Sequence, residues 1–290
     1  MRRLKQAVFV LVVAAALTIL LAPAKAHAAA EYKQIVTDTV TKAGNYYFKY
    51  EGSEVYFSVS PSGPFTRAGF EGYVGTPYTN GTNIIVAGRG QGSYAPLMRC
   101  KVKTNKVKTL KKLKRGSWSY EPPQWNISTV YGNKVYLTRD SFEGWNLKTY
   151  CYNLSSKKLS MIQNNCAVSA RKGKYVVARN EYQTDVSAHR WTIYKIKSNG
   201  KFKKVKTLGK YIGSAEIVGN KIYYSKFSEA SMKNMKLYRC SLKGKNVKKL
   251  GSFQASGQCT AYGYTSKSCS VYKDGSYTYT YATKKLTPKY

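Results

Sequence analysis

The chain has 290 residues, with 49 Lys and Arg against 13 Asp and Glu and a formal net charge of +36. A balance so far to the basic side attracts polyanions and opposes self-association, so a monomer with anionic partners is expected. Tyrosine, at 27 residues, is the dominant aromatic; it suits half-buried pleated surfaces and argues against a chain organised around helix packing.

Residues 1–28 read as a secretory signal peptide. Arg2, Arg3 and Lys5 form a positive start, Ala7 to Ala22 an apolar run, and Ala24-Lys-Ala26 and Ala26-His-Ala28 small-residue cleavage sites. The apolar run is short beside the about 20 residues of a spanning helix, so no transmembrane span is expected after processing, with a retained anchor as the alternative. The location is then secreted or cell-surface, through Gram-positive-type export. Removing Arg2, Arg3, Lys5 and Lys25 lowers the net charge from +36 to +32. At physiological salt that field reaches only about 8 Å. Outside a cell the anions within reach are wall polymers, acidic glycans and lipid headgroups, and the export signal disfavours nucleic acid.

Residues 31–290 form one domain built from a repeat. Gly44, Gly81, Gly132, Gly173 and Gly219 each open a copy, a sixth opens near Ser266, and the spacings of 37 to 51 residues suit one four-stranded propeller blade. In each copy a short strand leads into a tight turn and a second strand, as in Val130-Tyr-Gly-Asn-Lys-Val-Tyr136 and Ile217-Val-Gly-Asn-Lys-Ile-Tyr-Tyr224. Such a turn needs positive φ, which Gly and Asn supply. After a polar loop come a third strand, such as Leu237-Tyr-Arg239, and a Lys-rich fourth, as in Val205-Lys-Thr-Leu208 and Val247-Lys-Lys-Leu250. No helical period appears beyond the leader. The expected fold is all-β, a six-bladed β-propeller of four-stranded blades. The extended segment from Tyr32 to Val40 is expected to complete the last blade and close the ring.

The recurring Gly-Asn-Lys-(Ile/Val)-Tyr, Leu-Tyr-Arg and Lys-Lys-Leu phrases resemble the secreted bacterial propellers likened to the lipoprotein-receptor β-propeller and related to the TolB-like six-bladed fold. The resemblance covers Gly44 to Tyr290 and is clearest from Val130 to Leu250. It implies a fold and a surface location, and supplies no catalytic residue.

In antiparallel blades the long loops gather at one end. That end collects Trp118, Trp125, Glu143, Trp145, Glu181, His189 and Trp191, an aromatic and polar set suited to a glycan or protein partner; the alternative is that the tryptophans pack the loops onto the blades. The outer strands carry Lys108, Lys111, Lys112, Lys114, Arg115, Lys203, Lys204, Lys248 and Lys249. Lysine there protects sheet edges from pairing with other chains, and its excess suits a belt that grips an anionic cell-wall polymer or acidic glycan.

Six cysteines in an exported chain allow 15 pairings. Cys100 and Cys240 occupy core positions of their blades, Cys259 and Cys269 would face one another across the last hairpin if its turn centres on Tyr264, and Cys151 with Cys166 stays open. Catalysis finds little support: His189 is the only histidine after cleavage, no cluster has metal-ligand spacing, and no cofactor is expected. The function expected is therefore that of a non-enzymatic binding module. The alternative is a carbohydrate-active enzyme, a hydrolase or lyase, with its site on the loop end, where Asp140 with Glu143 or Glu181 with Asp185 would supply paired acids.

Overall fold

The computed structural model describes residues 31–72, 74–89, 92–115, 124–139, 147–180, 190–228 and 231–289. Within them the chain is built of strands, with one 3-10 turn at Val102–Thr104 and no α-helix. The strands form six antiparallel sheets, taken up one after another along the chain.

A leading strand β1 (Lys33–Gln34) is followed by sheet 1, made of β2 (Thr41–Ala43), β3 (Tyr46–Glu51), β4 (Glu54–Ser58) and β5 (Thr66–Arg67). Sheet 2 has β6 (Tyr78–Thr79), β7 (Asn83–Ala87), β8 (Tyr94–Lys101) and β9 (Lys106–Lys114), and sheet 3 has β10 (Trp125–Tyr131), β11 (Lys134–Arg139), β12 (Lys148–Asn153) and β13 (Leu159–Asn164). Sheet 4 is β14 (Ala167–Lys172), β15 (Tyr175–Asn180), β16 (Arg190–Ile196) and β17 (Phe202–Gly209). Sheet 5 is β18 (Ile212–Val218), β19 (Lys221–Phe227), β20 (Asn234–Ser241) and β21 (Lys248–Gln254). Sheet 6 is β22 (Thr260–Tyr262), β23 (Ser268–Tyr272), β24 (Ser276–Thr280) and β25 (Lys285–Pro288).

The repeat glycines sit where the turn needs them. Val130 pairs with Val135 and Tyr131 with Lys134, which leaves Gly132-Asn133 as a two-residue turn with Gly132 at φ 55°. Sheet 5 repeats this around Gly219 at φ 58°. Alternation then sends one set of side chains into each sheet interface.

Among the described residues five apolar clusters form the core, each shared by consecutive sheets. Phe48 and Val55 meet Ile84 and Val86 between sheets 1 and 2; Leu97 and Leu113 meet Val135 and Leu137 between sheets 2 and 3. Tyr136 meets Val176 and Tyr194, Ile193 meets Ile222 and Tyr224, and Leu237 meets Val271 and Tyr279 in the next three interfaces. Among the described residues no apolar cluster joins sheet 6 to sheet 1.

The N-terminal segment goes elsewhere than expected. Lys33 pairs with Thr79 and Gln34 with Tyr78, so β1 is a fifth strand on the inner edge of sheet 2, and sheet 6 fills its four places with strands of its own. The physical reason is local. Tyr32 and Ile35 are buried in the clusters on either side of sheet 2. Asp38, at φ 58°, then bends the chain before it can continue as one long strand.

Each fully described interior edge also carries a register break. The inner strands β10, β14 and β18 shift between Ile127 and Thr129, Val168 and Ala170, and Ile212 and Ser214. The outer strands β9, β13 and β21 shift once against their neighbours and β17 twice, so that Leu110, Ile162, Val205, Leu208 and Leu250 are the extra residues. These bulges increase twist and interrupt the edge.

Candidate functional site

The Lys-rich phrase becomes the outer strand of sheets 2, 4 and 5. Lys108, Lys111, Lys112 and Lys114 on β9, Lys203 and Lys204 on β17, and Lys248 and Lys249 on β21 are all exposed. Arg115, expected among them, is 4% exposed; its guanidinium donates to the Gly92 carbonyl and its own carbonyl accepts from Arg139. It ends β9 as a structural cation and does not belong to the belt. The charge is locally unbalanced. Among the described residues the ion pairs are Lys49 with Glu51 and Arg67 with Glu54, both in sheet 1.

Strand register sets several of these cations against other cations. Lys106 lies opposite Lys101 and Lys108 opposite Arg99 in sheet 2. Lys203 lies opposite Lys195 in sheet 4, and Lys248 opposite Arg239 in sheet 5. Directly opposed like charges are destabilising. Protection of an edge asks only for charge on the edge strand itself, so the second member of each pair is surplus to that need.

The loop end is described only in part. Trp118, Glu143, Trp145, Glu181 and His189, with the acid pairs of the enzymatic alternative, lie outside the described residues. Trp125 and Trp191 are inside them, each 5% exposed. The Trp125 indole N–H donates to the Lys114 carbonyl at 3.1 Å and that of Trp191 to the Ile212 carbonyl at 3.0 Å. Both rings tie the rim of one sheet to its neighbour, which removes them from the set available to a ligand. Four buried tyrosines make the same kind of tie: the Tyr78 hydroxyl donates to Ser128, Tyr136 to Gly200, Tyr152 to Leu110 and Tyr279 to Leu250, each to a backbone carbonyl of an adjacent sheet. Burial pushes these hydroxyls above the usual tyrosine range, so none is poised as a base.

The cysteines are free thiols and all six are buried. Cys100 and Cys240 take the core positions expected of them. Cys259 and Cys269 do not pair, because the last hairpin is centred two residues beyond Tyr264: Thr260 lies opposite Tyr272 and Tyr262 opposite Ser270. Cys269 sits across from Tyr279, and the Cys259 thiol donates to the Lys233 carbonyl. Burial pushes the thiols of Cys240 and Cys269 up to about 11 and that of Cys166 up to about 12, which makes them poor nucleophiles. Among the described residues no group of three or more His, Cys, Asp or Glu is placed to hold a metal ion, and no helix is long and apolar enough to cross a membrane.

One surface concavity adjoins the lysine strands. Between the outer strands of sheets 5 and 6 runs a groove of about 590 Å³, lined along β21 from Lys249 to Gln254 and on the other side by Lys273, Tyr279, Lys284 and Leu286. The sequence marked Lys249 and Lys284 through the Lys-Lys-Leu phrase of their units. Lys273 adjoins a turn of the last unit, whose place beside β21 only the packing of the sheets reveals.

No family model matches the chain, and no curated protein matches it. Solved structures do. An uncharacterized protein of Listeria monocytogenes aligns with a TM-score of 0.54 at 11% identity, over 89% of this chain and 82% of that one. The β-propeller domain of the Trilobed protease from Pyrococcus furiosus, described as having an open velcro topology, aligns with a TM-score of 0.50 at 10% identity, over 83% of this chain and 80% of that one. TolB from Acinetobacter baumannii is also among the matches, with a TM-score of 0.42 at 14% identity, over 78% of this chain and 57% of that one. At 10 and 11% identity the first two likenesses are of fold, and the six antiparallel sheets in series have the architecture of a β-propeller.

Proposed function

We propose that this protein is an exported, non-enzymatic binding module whose lysine-bearing outer strands engage an anionic cell-wall polymer or acidic glycan. The observation that carries this reading is the set of cation pairs directly opposed across the outer two strands: Lys101 with Lys106, Arg99 with Lys108, Lys195 with Lys203 and Arg239 with Lys248. Each pair costs stability in the free protein, and a bound polyanion would offset that cost. The loop end, with Trp118, Glu143, Trp145, Glu181 and His189, is the proposed place for a second partner, a protein or a glycan.

The test uses the processed protein and purified wall polymer across a salt series. Binding is expected to fall linearly in log K against log salt through counterion release. Replacing Lys106, Lys108, Lys203 and Lys248 by Gln is expected to flatten that slope and to raise the melting temperature of the free protein. Binding that is absent at low salt, or indifferent to salt, overturns the proposal.

A further inference from the structure

We propose that the groove between β21 and the last sheet is a binding cleft for an extended phosphate-bearing polymer. This rests on the reading of the outer surface as polyanion-binding and gives that surface a defined site.

The groove has charge at both ends. Lys249 is the second residue of β21 and Lys284 lies in the turn that precedes β25, so both stand at the end where the two outer strands begin. Lys273 adjoins the turn between β23 and β24 and stands at the opposite end, near Gln254. From Lys249 to Gln254 is five residues of strand, or about 16 Å at 3.3 Å per residue. Lys273 is thus too far from Lys249 and Lys284 for all three to hold one small ion. They match a chain that carries anionic groups at intervals.

The floor and walls fit the same occupant. Gly251 has no side chain, and the Tyr279 ring closes in beneath it, its hydroxyl bonded to the Leu250 carbonyl at 2.7 Å. The bulge at Leu250 turns that residue inward, 9% exposed, between the exposed Lys249 and the half-buried Gly251. No carboxylate lines the groove. Asp274, next in sequence to Lys273, accepts from the Ser256 hydroxyl at 2.6 Å and from the Ser256 and Gly257 amides, and the Lys273 charge also acts on its carboxylate.

The donors suit that ligand class. All three cations are lysines, compact point charges that bind phosphate oxygens without the bidentate fork that an arginine brings to phosphate and carboxylate alike, so the comparison with oligogalacturonate decides between the two anions. Gln254 and Ser252 add neutral polar contacts for the hydroxyls of a linking polyol.

The experiment measures, by calorimetry at two salt concentrations, binding of a glycerol-phosphate oligomer, an oligogalacturonate of equal length and tripolyphosphate. Three proteins are compared: the processed chain, a groove variant (Lys249→Gln, Lys273→Gln, Lys284→Asn) and a control of equal charge on sheet 2 (Lys108→Gln, Lys111→Gln, Lys112→Gln). Asn is used at 284 because that residue is at φ 54°, a region Asn tolerates. Melting temperatures no lower than that of the processed chain establish that both variants fold. The groove variant is expected to lose tenfold or more in affinity for the glycerol-phosphate oligomer and the control less than threefold, with tripolyphosphate bound more weakly than the oligomer by all three proteins. Equal losses in both variants would overturn the cleft while leaving polyanion binding by the outer strands in place. Equal affinity for oligogalacturonate would overturn the assignment to phosphate. Long wall polymer that binds none of the three proteins would overturn the underlying reading as well.

Discussion

Tyr279 shows how single residues join one sheet to the next. Its ring meets Phe253 edge-on at 4.8 Å, and its hydroxyl reaches the Leu250 carbonyl, satisfying a backbone group that the bulge in β21 takes out of its ladder. The space for that ring exists because residue 251 is glycine: a Cβ there would lie 2.8 Å from the Tyr279 oxygen and 2.9 Å from its ring carbons. Gly251→Ala is therefore expected to destabilise the protein by about 1 to 3 kcal/mol, as overpacking of a filled site does, read as a lower urea midpoint with an unchanged m-value. An unaltered midpoint would mean that Tyr279 moves aside at no cost. The abundance of tyrosine was legible in the sequence as a sign of pleated, half-buried surfaces. That the hydroxyls cross to a neighbouring sheet was not, because the crossing depends on bulge positions that leave no mark in local pattern. The same holds for Cys259 and Cys269: a hairpin centre displaced by two residues along each strand separates two cysteines whose spacing alone would have joined them.

At the scale of the strand, the phrase Val-Lys-Thr-Leu or Val-Lys-Lys-Leu encodes two devices at once. Its leucine is the extra residue of a bulge in β9, β17 and β21, and its lysines face outward on an edge. Both protect an exposed strand from pairing with another chain. Replacing Lys111, Lys112, Lys203 and Lys204 by Thr keeps strand propensity and removes the charge. The variant is expected to stay folded and to raise static light scattering with time at physiological salt. A solution that remains monomeric after this change would assign edge protection to the bulges alone and free the lysines entirely for a ligand. Strand order was legible because five of the six copies open on a turn glycine. The place of β1 was not: the two residues of β6 leave an inner edge that needs a partner, and only the buried positions of Tyr32 and Ile35 fix which edge receives it. For the candidate site, the outer-strand lysines were readable from the repeat, whereas the burial of Trp125, Trp191 and Arg115 was decided by contacts between sheets.

Among the described residues, six sheets with five apolar interfaces leave two faces at the ends of the series, and their chemistry is alike. On sheet 1 the face turned away from sheet 2 carries Lys42, Tyr47, Lys49, Tyr56 and Arg67, placed side by side by their register. Its contacts close within the sheet, with Lys49 over the Phe65 ring at 4.6 Å and the Tyr56 hydroxyl donating to Glu54 at 2.6 Å. On sheet 6 the face turned away from sheet 5 carries Tyr262, Ser268, Ser270, Thr278 and Thr280, and Lys289 donates to the Ser270 hydroxyl at 2.6 Å. Such faces bury little apolar area, so stability in the molecule should follow a linear array, in which each unit is held by its nearest neighbours. Interior sheets have two apolar neighbours and the end sheets one. Opening should therefore begin at the ends, and native-state hydrogen exchange resolves it. The amides of β3, β4, β23 and β24 are expected to exchange through a smaller opening free energy than those of β11, β12, β15 and β16. Equal protection in all six sheets would show that the polar faces of sheets 1 and 6 hold the molecule together as firmly as the apolar interfaces do.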